Sequence, residues 1–481
     1  MEHSKQIVKH VSKITLGTLF SRILGYARDM AIANFFGASF VADAFYVAYR
    51  IPNLLRRLLG EGSLSAAFIP IYTDYLSHKS EEEQKKFIST VSFVLFCVLT
   101  TITILGIIFA PQILKVIAPG FADYPEKMRL AIILTRVMFP FFIVIGMAAL
   151  FMGILHSHHM FFISAAAPCF LSIGELVFLF FVCPFMLVPV KGLAFGVVVG
   201  GTLQMLFQVP RIIKQKVRFS FNLDFKNEGL RKIVYLMIPS TLAVSVDQIN
   251  VFVDVMCASW LEVGSVSALY YSNHLTLFPL ALFGIAVSSV SLPTLSKSAS
   301  YENLDEMKSI LISSIRLMLY FLIPSSVGLI ILAKPIVRAL FERGMFDSHA
   351  TNLTSYALIF YSVGILSFGL VKLLATAFYA LKDTKSPVKI TSFAMILNVE
   401  LNLILIYYFK VGGLAFATAI SSMFTVFFLF RMLHRKIGTL GLKHLISPIL
   451  KILLSTIIMG IACYVSAYKI FDANKYLQVF I

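Results

Sequence analysis

Near the start of the chain, eight ionisable residues sit in an otherwise apolar run: Arg22, Arg28 and Asp29 in SRILGYARD, Asp43 and Arg50 in ADAFYVAYR, and Arg56, Arg57 and Glu61 in NLLRRLLGEG. An ionisable side chain at the centre of a bilayer costs about 2.5–3.5 kcal/mol on insertion scales, so such groups face a polar cavity or a partner. Helical spacing puts Arg22 and Asp29, seven apart, on nearly one face and points Arg28 elsewhere. Arg57 and Glu61 are four apart and can pair. Arg50 and Arg57 fit an interfacial, snorkelling position as well as a buried one. Arg22, Arg28 and Arg56 lie farther from any loop and are read as cavity residues. A guanidinium is a planar fork that grips phosphate oxygens two at a time. An arginine-rich cavity therefore argues for an anionic, phosphate-bearing substrate.

The second half carries a different set. Asp247, Asn250 and Asp254 recur at i, i+3 and i+7, Asn398 and Asn402 at i, i+4, and Thr418 and Thr425 follow. Carboxylate, amide and hydroxyl oxygens suit a small hard cation. The same residues also serve ordinary hydrogen bonding between membrane helices, and the spacing alone leaves both readings open. Glu175 and Glu400 are acids within apolar segments that receive no role, and Lys372 either lines a cavity or snorkels. His156, His158 and His159 cluster at a short turn without a carboxylate or cysteine beside them, which argues against a metal site. The five cysteines have no CxxC pairing and read as small apolar residues. GxxxxGK[ST] is absent and no large extramembrane domain could house catalysis, so no enzyme activity is expected.

The elements that must position these groups are membrane helices. Of 481 residues, 58% are hydrophobic and only 14% charged, with a mean hydropathy of +0.86, whereas soluble domains carry about 25% charged residues. The formal charge of +17 is read as cytoplasmic-loop Lys and Arg, not as a nucleic-acid surface. Thirteen apolar spans are expected, near 12–36, 40–75, 87–112, 129–155, 161–183, 190–213, 231–260, 266–293, 308–333, 351–380, 386–409, 412–433 and 445–470. With the N-terminus in the cytoplasm, the Lys- and Arg-rich loops fall on the inner side. An internal repeat is visible. AFYVAYRIPNLL (44–55) matches ALYYSNHLTLFP (268–279), and KGLAFGVVVGG (191–201) matches GGLAFATAISS (412–422). Six spans separate each pair, so the halves insert in the same direction, as in transporters built from parallel repeats. The expected organisation is an all-α polytopic membrane protein. It has one six-helix lobe over 1–215, a second over 216–436, and one or two extra helices in 437–481.

The motifs FSRILGYARD, FGASFVADAF, RIPNLLRRLLGEGSLSAAFIPIY, VSLPTLSK and KDTKSPVK resemble those of the MurJ/MviN family of lipid II flippases, in the MOP exporter superfamily. The resemblance covers about 12–435. It implies two lobes around a central cavity that opens alternately to either side. It also implies outward movement of an undecaprenyl-pyrophosphate-linked peptidoglycan precursor across the bacterial inner membrane. Lipid II and membrane lipid are then the partners, with the peptidoglycan synthesis machinery nearby and no nucleic acid. Other exporters of the superfamily, for oligosaccharide-lipids or for drugs and cations, are the alternative. By position the resemblance assigns Arg22, Arg28 and Arg56 to the pyrophosphate, with Ser21, Asp29, Asp43 and Glu61 in the same motifs. It assigns a sodium site to Asp254, Asn398, Asn402, the Leu414 carbonyl and Thr418, with sodium or the membrane potential driving transport. Two departures stand out. His274, in YYSNHL, occupies a position where the family usually has arginine. The C-terminal segment is also short for two extra helices.

Overall fold

A segment inside a bilayer must satisfy its own backbone hydrogen bonds, and a helix does so locally. In this computed structural model the described residues are 2–57, 64–215, 217, 224–301, 303–440 and 443–470. Side chains are described from Leu19 onward, apart from 66, 239–240, 242–244, 246–247, 443–444 and 469–470. Among the described residues there is no strand, and nine helical stretches are long and apolar enough to cross a membrane. These nine account for ten of the expected spans, because 386–409 and 412–433 run on as one stretch, Lys385–Ile437. The break that separates them is a single residue, Lys410 (φ 47°, ψ −125°). Left-handed backbone disfavours a side-chain-bearing residue. Here two glycines follow close behind, and a Cβ on Gly413 would meet the Leu405 carbonyl oxygen at 2.3 Å. The other three expected spans are helical over 2–36, over 40–55 with 65–78, and over 228–258, each including residues whose side chains are not described.

The chain packs as two units, one made of 1–36 with 40–248 and the other of 37–39 with 249–481. Through the first run α1 (Glu2–Phe36), α2 (Phe40–Leu55), α3 (Ser65–His78), α4 (Glu81–Ile108), α5 (Ala110–Ile117), α6 (Pro125–Met138), α7 (Phe141–Ser157), α8 (Phe161–Ala166), α9 (Pro168–Phe181), α10 (Pro189–Leu206) and α11 (Val209–Lys214). Helix α12 (Glu228–Ala258) begins in this unit and ends in the next. The second unit continues with α13 (Ser265–Pro279), α14 (Ala286–Ser300), α15 (Leu304–Ile331), α16 (Ala333–Phe341), α17 (Ser348–Ala380), α18 (Lys385–Ile437) and α19 (Lys443–Val465).

The repeat read from sequence recurs element by element. Helices α2, α4 and α5 begin at Phe40, Glu81 and Ala110, and their counterparts α13, α15 and α16 begin at Ser265, Leu304 and Ala333, at a nearly constant offset along the chain. Local chemistry repeats with it. Ser80 caps α4 with a reciprocal Glu83 bond, and Asn303, at the matching point of the repeat, caps α15 through the Glu306 N–H. His159 and Lys382 also correspond; both are left-handed (φ 60° and 58°) and close equivalent turns.

Each unit has its own apolar core. Phe68, Tyr72 and Phe87 stack between α3 and α4 in the first, with ring centres 5.2, 6.2 and 6.3 Å apart. Leu311, Met318, Leu322, Leu374 and Phe378 fill the second, between α15 and α17. Helices α9 and α10 approach closely through glycine. A Cβ on Gly174 would meet the Gly200 Cα at 2.3 Å, and one on Gly196 would meet the Glu175 Cα at 3.3 Å. Small residues permit such contacts in membranes, and this one fixes the height and rotation of Glu175.

Candidate functional site

In the first unit, α1 and α9 bring three ionisable groups together. Arg28 donates to Asp29 Oδ1 from Nε at 3.0 Å and from Nη2 at 2.8 Å. Its Nη1 lies 3.5 Å from Glu175 Oε1. All three are buried, at 8%, 2% and 2% exposure. Helical periodicity separates Arg28 from Asp29 by one position and points them apart. The four-bond arginine stem is long enough to bridge that difference, and a buried carboxylate without a cation would be costly. Tyr49, half-buried on α2, lies within electrostatic reach of Glu175, Arg28, Arg56 and Asp29. Arg56 is half-buried and donates from Nε to Asn53 Oδ1 at 2.9 Å. Arg22 is exposed and, with Asp29, lies within electrostatic reach of Tyr26. Ser21 is in hydrogen-bond contact with Cys169 of α9.

One assignment made from the motifs has a different described partner. Asp43 is fully buried and pairs with Lys127 of α6 at 2.8 Å, while Lys127 Nζ also sits 4.2 Å from the centre of the Phe121 ring. That pair pins α2 to α6. Sequence reading missed Lys127 because residue 127 falls just before the expected 129–155 span. The proline at 125 instead opens helix α6, where a fixed φ is preorganised. Glu61, expected to pair with Arg57, lies outside the described residues.

In the second unit, the end of α12 meets α18. Asp254, 9% exposed, accepts from Asn402 Nδ2 at 2.7 Å and from Thr418 Oγ1 at 3.4 Å. Asn402 Nδ2 also donates to Asn398 Oδ1 at 3.1 Å, and Thr418 Oγ1 donates to the Leu414 carbonyl at 3.1 Å. Both asparagines are fully buried. Asn402 Oδ1 has no hydrogen-bond partner among the described residues. All five residues assigned from the motifs therefore converge. Ser421, 3.5 Å from Asn398 Nδ2, joins them; its spacing of three from Thr418 was the available signal. Thr425 bonds the Ser421 carbonyl instead, and the Asp247 side chain is not described. His274 is half-buried on α13 with its ring 4.3 Å from that of Tyr270. Glu400 and Lys372 are exposed.

The family model described as "Lipid II flippase MurJ" matches residues 32–479. A protein of Buchnera aphidicola subsp. Acyrthosiphon pisum named "Probable lipid II flippase MurJ" is 37% identical over 460 residues, covering 95% of this chain and 90% of the relative. A Vibrio cholerae protein of the same name is 38% identical, covering 92% and 85%. The "Lipid II flippase MurJ" of Burkholderia cenocepacia is 34% identical, covering 87% and 82%. Among solved structures, "Lipid II flippase MurJ, inward closed conformation" superposes with a TM-score of 0.84 at 30% identity, over 97% of this chain and 95% of that one. An inward-facing MATE transporter of the MOP superfamily superposes with a TM-score of 0.74 at 15% identity, over 87% and 95%, a likeness of fold alone.

Proposed function

The chain belongs to the MurJ family of lipid II flippases, and from that premise we propose that the first unit's arginines hold the lipid II pyrophosphate while the second unit's oxygen cluster takes a sodium ion. The protein is a multi-pass membrane flippase for lipid II. The observation that carries the residue assignment is Arg28: a buried guanidinium, held by carboxylates that a phosphate can replace, with Arg56 close to the same tyrosine. Bidentate guanidinium contacts suit the two phosphates. They also favour an anionic cargo over the drugs and cations of other exporters in the superfamily. Ser21 and Asp29 orient the cluster; His274, in the second unit, is a separate phosphate candidate when protonated.

The prenyl tail stays in lipid while the head group crosses by alternating access, delivering precursor to the peptidoglycan synthesis machinery. The asymmetry of Lys and Arg among the loops favours a cytoplasmic N-terminus. No covalent chemistry is required. The Asp254 cluster suits sodium because its donors are all oxygen, one is a carboxylate, and Asn402 Oδ1 is buried with no hydrogen-bond partner among the described residues. When bound, sodium would neutralise Asp254, held by Asp254, Asn398, Asn402, Thr418 and the Leu414 carbonyl. The membrane potential contributes about 2.3 kcal/mol per elementary charge per 100 mV.

Depletion of the protein in its host, followed by measurement of lipid II on each leaflet, tests the reading. Inner-leaflet accumulation is expected, with no rescue by Arg28→Ala or Arg56→Ala. Normal export by both variants would overturn the site assignment. Transport unchanged after collapse of both the sodium gradient and the potential would overturn the coupling.

A further inference from the structure

Glu175 has no task in pyrophosphate binding as described, yet it is a carboxylate at 2% exposure in the first unit. Its one described ion pair, to Arg28 Nη1 at 3.5 Å, is longer than a good hydrogen bond, and Oε1 accepts no hydrogen bond from any described residue. Arg28 meanwhile commits Nε and Nη2 to Asp29. One guanidinium thus faces two buried carboxylates, and Glu175 holds the weaker share. The other elements around α9 add little charge. Helix α10 meets Glu175 through Gly196, and its one titratable residue, Lys191, stands near its start. Helix α8 (FFISAA) carries none, the Cys183–Phe185 turn offers only a cysteine, and α2 contributes the Tyr49 phenol with Arg56 beyond it.

We propose that Glu175 is a proton-binding site that controls Arg28: ionised, it draws the guanidinium back; protonated, it releases the guanidinium to the pyrophosphate. This rests on the assignment of Arg28 to the pyrophosphate. When phosphate oxygens take Arg28, Glu175 is left buried without a cation. A carboxylate so placed becomes neutral rather than stay charged in a low-dielectric interior. The proton comes from water, forms the carboxyl O–H, and returns to water when Arg28 swings back; no other bond changes. Lipid II binding and proton uptake are therefore linked.

Isothermal titration of the full-length protein in detergent with lipid II, repeated in buffers of different ionisation enthalpy, reads the protons taken up. Both phosphates of lipid II are diesters and do not titrate near neutral pH, so uptake reports protein groups. The wild type should take up about one proton per lipid II, and its affinity should tighten by up to about tenfold per unit fall in pH. Glu175→Gln should lose that uptake and bind with an affinity insensitive to pH over the same range. Glu175→Asp, which restores a carboxyl, should regain the linkage. Equal uptake by the wild type and Glu175→Gln overturns the proposal. So does loss of binding at every pH in a Glu175→Gln protein that melts like the wild type, because that marks a merely structural carboxylate. Arg28→Ala separates the two levels. Undiminished binding by it overturns the pyrophosphate assignment itself, whereas weakened binding with unchanged Glu175→Gln linkage overturns only the role of Glu175.

Discussion

The two units place comparable helix pairs in comparable positions and fill them with opposite chemistry. In the first, α1 against α9 buries Arg28 between Asp29 and Glu175; in the second, the end of α12 against α18 buries Asp254 among asparagine and threonine. Asp254 follows Asp29 along the chain at the same offset by which α13 follows α2. A carboxylate is thus common to both sites. What differs is its described neighbours, a guanidinium in one and neutral amides with a hydroxyl in the other. The first arrangement keeps a cation that an anion can claim. The second keeps an anion that a cation can claim. On the proposed reading, one repeated scaffold thereby carries two sites of opposite preference.

The comparison breaks most forcefully at Arg28. Arg28→Ala strips two buried carboxylates of their shared guanidinium, which costs about 3–5 kcal/mol of stability, and it should abolish lipid II export. Arg28→Lys keeps the charge without the fork. It should melt near the wild type in a detergent thermal-shift assay while export falls by about tenfold or more. Equal export by Arg28→Lys and the wild type would show that only charge matters there. On the other side, Asp254→Asn should leave the fold intact and remove stabilisation by sodium. That stabilisation is about 2.7 kcal/mol at a hundred times the dissociation constant, read as the shift in melting temperature between sodium and potassium buffers. A sodium-dependent shift that survives in Asp254→Asn would remove the charge contrast between the units.

Much of this was legible in the sequence, for reasons that differ by residue. Apolar runs and the YVAYR/YYSNH and GLAF matches carried the helices and the repeat, because periodicity and hydropathy are local properties. The asparagine and threonine spacings marked polar helix faces, since each spacing lies within one helix, but the grouping of Asp254 with Asn398, Asn402, Leu414 and Thr418 came from the motif resemblance and not from the spacing. Pairings between distant parts of the chain were not legible. Lys127 of α6 reaches Asp43 of α2, and Glu175 meets Arg28 only once α9 packs on α1. Arg28 itself was assigned the wrong direction, because its Cα direction was followed and its flexible stem was not.

Smaller effects sharpen the comparison where the units agree. Ser80 and Asn303 cap α4 and α15 at the same point of the repeat, each accepting from the N–H of a glutamate at the third position beyond it. Ser80→Ala and Asn303→Ala should each cost about 1 kcal/mol, measured as loss of stability in matched unfolding assays. A several-fold difference between them would mean that one helix start is held by something besides its cap.

The smallest effect lies in the turns that His159 and Lys382 close, where the backbone is alike and the titrating groups are not. In the first unit His158 Nε2 lies 3.4 Å from the Tyr72 hydroxyl, and burial, aided by the neighbouring His159, pushes its pKa down. In the second, burial works against the Asp383 charge. Lys436 and the Ser386 hydroxyl and N–H nevertheless hold its carboxyl below the usual range. Both groups bind protons less readily folded than unfolded, so both turns lose stability as pH falls. The windows differ. The histidine turn weakens below about pH 6.5, the ordinary histidine value, and the aspartate turn only below about pH 4. His158→Gln should therefore flatten the profile of unfolding free energy between pH 7 and 5, while Asp383→Asn lowers it by a near-constant amount there, about 0.5–1 kcal/mol for a partly exposed pair. A pH 7-to-5 slope that moves with Asp383→Asn and not with His158→Gln would mean that the equivalent turns had exchanged their roles.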